Sequence, residues 1–444
     1  MSGRTLWIVI AAVLLVGGAA AAWAMLPPRA LSFAGGGAVD LADYKGPNPT
    51  GAPPELASAD VVARGKYLTQ AADCVVCHTA SGGQPYAGGL AIPTQFGVLY
   101  SPNITGDAQT GIGAWTDAQF LRAMHEGIGR DGQRLYPAFP YESYTLMTDA
   151  DVLAIKAYLL SLPPAHAAAP PTQLKFPFNQ RWLMAFWSAF YNPNQRFRPH
   201  PDRSPQWNRG AYLVEGLEHC GDCHTPRNLG QALDNRQKFA GAVAEGWRAY
   251  NITADHASGV GAWSDAALAE YLHDGHADGH GAAGGPMGEV VEAGLGPLTP
   301  GDTAAVVAYL RSVPAVHSQG LPAPVTQPAS DAPKLMQASF DPRGKQIFEG
   351  ACASCHGWSG VSLLTNDATL TGDRAINDAS AINVAQMVIA GGGRPGALRM
   401  PAFGAAYSDT EIAAVANYVT ARFGAAPGRI TAADVARLRR SSVH

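Results

Sequence analysis

The sequence has few charged residues and no excess of positive charge. Asp, Glu, Lys and Arg make up 15% of its 444 residues, and 31 Lys and Arg stand against 35 Asp and Glu, for a net charge of -4. Proteins that bind a phosphate backbone need clustered cations, and no long basic run occurs. Nucleic-acid binding is therefore excluded as the leading interpretation. At about 150 residues per domain, the length predicts roughly three domains.

The sequence also lacks common catalytic motifs. It contains neither a GxSxG elbow nor a P-loop. It has only six cysteines, and all of them belong to the three motifs described below, so none is left for a separate nucleophile or a disulfide. Nothing in the chain itself thus predicts a site for substrate oxidation.

An uncharged apolar run occupies residues 6–26, between Arg4 and Pro27. A helix of this length, at ~1.5 Å per residue, spans about the ~30 Å hydrocarbon core of a bilayer. The run predicts a membrane anchor within residues 1–30. A cleaved signal peptide is the alternative, since Ala22 and Ala24 form a small-residue cleavage site. Both interpretations export the rest of the chain, because Arg4 holds the N-terminus in the cytoplasm.

The six cysteines form three CxxCH motifs, which are the attachment signal of c-type haem. Two thiols one helical turn apart can each form a thioether to one porphyrin, and the adjacent histidine can bind its iron. A zinc half-site or a dithiol redox centre is the alternative, but a four-cysteine zinc site would leave one pair unused, and a thioredoxin-like centre needs no histidine at that position. The sequence predicts three covalently bound haems c, held by Cys74, Cys77, Cys220, Cys223, Cys352 and Cys355, with iron bound by His78, His224 and His356.

Internal repeats predict three similar modules. An Arg-Gly pair precedes each motif, at Gly65, Gly210 and Gly344, and Asn-Ile-Thr recurs after the first two motifs, at residues 103–105 and 251–253. N-cap signatures at Thr148, Thr299 and Ser408 predict a closing helix in each module. The fold class expected is all-α, with three tandem cytochrome c domains after an N-terminal transmembrane or signal helix.

The predicted boundaries divide the chain into seven segments. They are residues 1–30 (anchor or signal), 55–165 (module 1), 166–206 (an aromatic-rich linker), 207–315 (module 2), 316–340 (a Pro/Ala linker), 341–426 (module 3) and 427–444 (a C-terminal tail). The aromatic linker is interpreted either as buried between modules 1 and 2 or as a partner or membrane contact. The tail carries Arg437, Arg439 and Arg440 and is interpreted as solvated, with a membrane-surface helix as the alternative.

A methionine opposite the histidine raises the potential of a cytochrome c haem. Met287 and Met400, each beside a proline in the loop before a closing helix, are the predicted sixth ligands in modules 2 and 3. Module 1 has Phe139 at the comparable place, and its Met147 occupies a hydrophobic-staple position that favours packing. His125 is an alternative, but module 2 has His273 at the equivalent position. The first haem is therefore predicted to lack a methionine ligand and to have the lowest potential.

Four segments resemble the triheme cytochrome c subunit of quinone-linked membrane dehydrogenases. They read YSPNITGD at 100–107, FNQRWLM at 178–184, WNRGAYLVE at 207–215 and CHTPRN at 223–228. The resemblance covers nearly the whole chain after residue 30. It implies the haem-binding cysteines and histidines of all three motifs and the methionine ligands Met287 and Met400. The family usually has methionine where this chain has Phe139.

The resemblance implies a non-catalytic subunit at the periplasmic face of the bacterial cytoplasmic membrane. It would carry electrons from a dehydrogenase catalytic subunit with a quinone, flavin or molybdenum cofactor to ubiquinone or another respiratory acceptor. Family members serve alcohol, aldehyde, gluconate, sorbitol or fructose dehydrogenases. Two alternatives stay open: a multihaem peroxidase that uses the first haem as an open site, and a stand-alone carrier to a terminal oxidase.

Overall fold

The structure is a computed structural model that describes residues 23–327, 341–393 and 398–441, with positions 5, 7, 10, 14, 17 and 18 of the N-terminal segment. The apolar run at residues 6–26 and part of the 316–340 linker thus lie largely outside the described residues. Among the residues that are described, no helix is both long and apolar enough to cross a membrane.

Helices dominate the described chain, as the all-α expectation requires. Short π-helical turns at Leu213–Leu217, Val291–Leu295 and Phe348–Cys352 continue three of them. The α-helices are α1 (Val61–Ala71), α2 (Cys74–Cys77), α3 (Asp117–Glu126), α4 (Tyr141–Tyr144), α5 (Asp149–Ser161), α6 (Leu183–Tyr191), α7 (Pro205–Tyr212), α8 (Gly221–His224), α9 (Asp265–Asp274), α10 (Pro286–Val290), α11 (Pro300–Ser312), α12 (Pro342–Ile347), α13 (Ala353–His356), α14 (Ile382–Ala390), α15 (Asp409–Phe423) and α16 (Ala432–Ser441).

The strands are two to four residues long and antiparallel. A three-stranded sheet has the order β1-β2-β3, with Ala91 opposite Tyr100 and Gly97 opposite Leu174. Two further pairs, β4-β5 and β6-β7, lie in module 2. The strands are β1 (Ala91–Thr94), β2 (Gly97–Tyr100), β3 (Gln173–Leu174), β4 (Ala242–Ala244), β5 (Trp247–Ala249), β6 (His276–Ala277) and β7 (Gly281–Ala282).

The three closing helices begin at the predicted N-caps. The side chains of Thr148, Thr299 and Ser408 each accept a hydrogen bond from the backbone N–H three residues later, which begins α5, α11 and α15. Such a cap satisfies an N–H group that the first helical turn leaves without an intrahelical partner. The capping chemistry predicted from the sequence is confirmed at all three positions.

In every module the first helix crosses the closing helix at the glycine of the Arg-Gly pair. A Cβ placed on Gly65, Gly210 or Gly344 would lie 1.9, 2.0 or 2.2 Å from a carbonyl oxygen of the closing helix. The carbonyls belong to Ala154, Ala305 and Ala414. No side chain fits at that separation, so the repeated glycine is explained by the close approach of two backbones.

Modules 1 and 2 contact each other through two reciprocal hydrogen bonds. Tyr67 of α1 donates to Asp302 of α11 at 2.6 Å, and Tyr212 of α7 donates to Asp151 of α5. Each tyrosine oxygen also accepts the backbone N–H of the opposite N-cap threonine. The same contact made in both directions relates the two modules by an approximate two-fold axis.

The buried residues follow this pairing. One hydrophobic cluster runs through modules 1 and 2, and a second one belongs to module 3. Module 3 contacts module 2 mainly through polar groups. Arg248 of module 2 pairs with the buried Asp378 of module 3 at 3.3 Å, and its backbone exchanges two hydrogen bonds with the side chain of Asn383.

The structure changes the interpretation of two connecting segments. The aromatic linker is covered on one face only: Trp187 and Ser188 of α6 contact modules 2 and 1, whereas Trp182, Phe186 and Phe190 are exposed on the surface. The C-terminal segment is not a solvated tail, because α16 inserts the fully buried Val435 into the module 3 core and Arg439 pairs with Asp409 at 2.6 Å.

We predict that Gly210→Ala destabilises the protein although alanine favours helices. The added methyl group would lie 2.0 Å from the Ala305 carbonyl, so α7 and α11 must separate. Overpacking of this kind costs about 1–3 kcal/mol. Denaturant unfolding of the haem-loaded chain should show the loss. Gly216→Ala is the matched control, because its Cβ would lie 3.6 Å from the nearest atom; equal stability of the two variants would contradict the explanation.

Candidate haem-binding sites

Each CxxCH motif follows the first helix of its module. Cys74 and Cys77 begin and end α2, whereas Cys220 and Cys352 immediately precede α8 and α13. Side chains three positions apart on a helix project from the same face. All six cysteines are free thiols. Every motif therefore presents two thiols side by side, which is the arrangement that two thioether bonds to one porphyrin require.

The histidine of each motif donates its Nδ1 hydrogen to a backbone carbonyl. His78 bonds Pro102 at 2.7 Å, His224 bonds Tyr250 at 2.6 Å, and His356 bonds Ala368 at 2.7 Å. Burial also lowers the pKa of each imidazole, which favours the neutral form. A neutral ring with its proton on Nδ1 keeps the Nε2 lone pair available for a metal, so these contacts would suit each histidine to bind a haem iron.

The donor set fits a haem better than the alternatives. In the described parts of the chain, no three side chains of the histidine, cysteine or carboxylate types converge on one point, as a zinc site requires. Burial raises the pKa of Cys74 to about 12 and that of Cys352 to about 11. A reactive dithiol centre has lowered thiol pKa values instead. One histidine with two neutral thiols is what a c-type haem uses.

The two predicted methionine ligands lie at comparable places before the closing helices. Met287 is half-buried in the first turn of α10. Two residues earlier, Gly285 has a positive φ of 56°, and its backbone lies against the Trp247 ring. Met400 is half-buried against the module 3 core and pairs with Gly392 through two backbone hydrogen bonds of 2.7 and 3.0 Å. Backbone contacts thus hold both thioether-bearing loops in place.

Module 1 differs at this position. The half-buried Phe139 packs against Tyr144 with ring centroids 5.4 Å apart. Burial raises the pKa of Tyr144, and Cys74 and Cys77 lie close enough to raise it further. Met147 is fully buried in the shared core, in agreement with a packing role. Phe139 therefore borders the first motif without offering an iron ligand.

His125 is buried at 3% exposure, unlike the exposed His273 of module 2. Its Nδ1 lies 3.7 Å from Asp149, and burial with the nearby Arg196 lowers its pKa to about 4. It is thus a neutral interior histidine. The equivalence to His273 that the sequence suggested does not extend to its surroundings.

The first two motifs face each other across the two-fold contact. Burial is the main reason that the pKa of Cys77 rises, and Glu245 and Cys223 of module 2 lie near enough to raise it further. Tyr144 of module 1 stacks edge-on against His219, the residue before Cys220, at 5.5 Å. Groups attached at these two motifs would be close neighbours, which suits electron exchange within the chain.

The carbonyls that hold the histidines were not among the predicted site residues, although the sequence contains a signal for two of them. Pro102 and Tyr250 each directly precede a repeated Asn-Ile-Thr, and the strands β2 and β5 lead into them. The asparagine of each repeat, Asn103 or Asn251, donates at 2.6 Å to the carbonyl of Ala165 or Val316, just after the closing helix. The repeat thereby fixes the loop whose carbonyl orients the histidine.

Two buried carboxyl groups between these motifs carried no sequence signal. Asp73 and Glu218 are 6% and 4% exposed, and each has one oxygen without a hydrogen-bond partner among the described residues. Burial is the main reason that the pKa of Glu218 rises to about 8, and burial together with Glu218 raises that of Asp73. Both carboxyl groups are thus biased towards their neutral forms.

Two family profiles match parts of the chain. Residues 62–163 match the family described as Cytochrome c, and residues 341–419 match the family described as Cytochrome C oxidase, cbb3-type, subunit III. These segments lie within modules 1 and 3.

Among curated proteins, a nicotinate dehydrogenase subunit of Pseudomonas putida is 42% identical over 373 residues; the match covers 83% of this chain but only 31% of that protein. The gluconate 2-dehydrogenase cytochrome c subunit of Pantoea cypripedii is 37% identical over 406 residues, 87% of this chain and 91% of the relative. The alcohol dehydrogenase (quinone), cytochrome c subunit, of Komagataeibacter europaeus is 37% identical over 410 residues, 86% and 85% of the two chains. These relatives support neither the peroxidase nor the oxidase-carrier interpretation.

Proposed function

Because the chain belongs to the family of cytochrome c subunits of quinone-linked dehydrogenases, we propose that it carries electrons through three covalently bound haems c from a dehydrogenase catalytic subunit to ubiquinone. The observation that supports this most directly is the threefold recurrence of one site: two free thiols beside a histidine whose Nδ1 is bonded to a carbonyl.

The residues divide the work simply. The six cysteines would attach the porphyrins, and His78, His224 and His356 would bind the irons, with Met287 and Met400 as second ligands in modules 2 and 3. The haem supplies reversible one-electron chemistry, whereas the protein sets orientation and potential. The facing motifs of modules 1 and 2 would hold their haems close together, and the contact of Arg248 with Asp378 joins the third module to the pair.

We further propose that the chain works at the periplasmic face of the cytoplasmic membrane. Support comes from the apolar run at residues 6–26 and the positive charge of Arg4 before it. Whether as an anchor or as a signal peptide, this run exports the modules to the compartment in which the catalytic subunit and the quinone pool can both be reached.

The first haem should lack a methionine ligand and have the lowest potential of the three. We predict that Phe139→Met adds a thioether to its iron and raises its potential by on the order of 0.1 V. Redox titration followed by absorbance, with the far-red methionine-to-iron band as the marker, measures both effects. Phe139→Leu is the control of similar size, and it should add no band. A methionine band already assigned to the first haem of the natural protein would contradict the proposal.

Purification from gently solubilised membranes tests the partner. We expect a large catalytic subunit in stoichiometric amount, carrying a quinone, flavin or molybdenum cofactor that mass spectrometry and cofactor extraction identify. Addition of that subunit's substrate should reduce all three haems. A cytochrome that emerges alone, and that no dehydrogenase from the same membranes reduces, would contradict the proposed role.

A further inference from the structure

One face of α6 has no partner within the described part of the chain. Trp182, at the N-cap, and Phe186 and Phe190 follow one another at intervals of four residues, so they form a row along the helix. Their exposed fractions are 61%, 61% and 67%. Phe176, shortly before the helix, is 79% exposed. A contiguous row of exposed aromatic side chains marks an interaction surface.

The opposite face of α6 fixes the helix on the protein. Trp187 donates from its indole Nε1 to the carbonyl of Gly230 at 2.8 Å, and the buried Ser188 lies 3.2 Å from the hydroxyl of Tyr141. The helix therefore lies flat against modules 1 and 2. The aromatic row cannot turn inward without breaking these contacts.

The apolar N-terminal run ends beside this helix. Arg29 donates to the side chain of Gln195, four residues after α6, at 2.6 Å. Asn228 donates to the carbonyl of Met25 at 3.0 Å and belongs to the same loop as Gly230. Trp23, itself 68% exposed, lies under the guanidinium of Arg236 at 4.2 Å. The last residues of the run and the aromatic row thus occupy one side of the molecule.

The charges around α6 suit a negatively charged surface. Residues 152–201 contain no aspartate or glutamate, although the whole chain has a net charge of -4. Five cations occur in the same segment. Three of them pair with carboxylates outside the segment, namely Lys156, Arg196 and Arg198. Lys175 is exposed shortly before the helix, and Arg181 lies over the Tyr136 ring. Anionic lipid headgroups attract cations such as Lys175 and Arg181, which pair with no carboxylate among the described residues.

We propose that the row formed by Trp182, Phe186 and Phe190 lies in the headgroup region of the lipid bilayer that holds the N-terminal run. Aromatic side chains concentrate at this depth, and a helix with one apolar face lies in the plane of the interface. The inference rests on the proposed membrane location and adds to it an orientation: α6 lies parallel to the membrane, so modules 1 and 2 are held against its surface rather than suspended from a flexible stalk.

The haem-loaded full-length chain, without any catalytic subunit, tests this in nanodiscs of phosphatidylcholine and phosphatidylglycerol. Hydroxyl-radical footprinting read by mass spectrometry compares Trp182 with Trp358 of module 3, an internal control of the same residue type with the same exposed fraction of 61%. We expect Trp182 to be oxidised several-fold more slowly than Trp358, with Phe186, Phe190 and the neighbouring Phe176 protected as well.

Each of the other outcomes contradicts a different part of the proposal: the membrane location, the orientation of α6 or the kind of partner. If the chain does not co-elute with the nanodiscs, the membrane location itself is wrong. If it co-elutes and Trp182 reacts as fast as Trp358, the location stands and the orientation is wrong. Protection that appears only after the catalytic subunit is added, or only in discs with two copies of the chain, would assign the row to a protein partner instead.

A pair of variants checks that protection depends on the row. In W182Q/F186Q/F190Q, Phe176 should become several-fold more reactive in nanodiscs, because the helix no longer seats in the interface. The matched variant W358Q/L363Q/L364Q removes three exposed apolar side chains from module 3 and should leave the protection of Phe176 unchanged. Equal behaviour of the two variants would contradict the proposal.

Discussion

The close crossing of the first and closing helices is the constraint on which each module depends. Glycine is required at this crossing because a Cβ would meet a carbonyl oxygen at about 2 Å in all three modules. The crossing fixes the direction in which the first helix delivers its cysteines. It also positions the closing helix and the segment that follows it. In modules 1 and 2, the carbonyls of Ala165 and Val316 in that segment accept a hydrogen bond from the loop that holds the motif histidine. In modules 1 and 2, the orientation of the motif histidine thus depends on this one backbone contact.

A second interaction explains why two modules share a core and the third does not. Tyr67 and Tyr212 each donate to a carboxylate in the first turn of the other module's closing helix. A hydrogen bond to a charged group contributes about 1.5–3 kcal/mol, and two related by symmetry favour one mutual orientation. In module 3 the corresponding residue is the exposed Gln346, so this contact is absent there. Module 3 instead uses Asp378 and Asn383 to bind Arg248 in strand β5 of module 2, which leads to Tyr250, the residue that orients His224.

Much of this architecture could be predicted from local patterns. The CxxCH motifs, the N-caps Thr148, Thr299 and Ser408, and the repeated glycines each reflect chemistry between residues a few positions apart or a repeat visible in the sequence. The assignment of the haem ligands, including Met287 and Met400, stays a prediction. What could not be predicted depends on contacts between distant segments. The reciprocal tyrosine bonds and the burial of Glu218 arise only when modules 1 and 2 pack, and the docking of α16 arises only when it meets the core of module 3. The sequence of the aromatic linker does not say which of its faces is covered.

A symmetric pair of haem modules and a third module, joined to the pair by polar contacts, together form the proposed path for electrons. The central claim is that every module carries one covalent haem. Intact-mass spectrometry of the denatured protein, with pyridine haemochrome absorbance on the same sample, tests this most directly. We expect the mass of the polypeptide plus three haems that survive acid-acetone extraction. A mass with fewer haems, or haem that is lost on extraction, would contradict the claim.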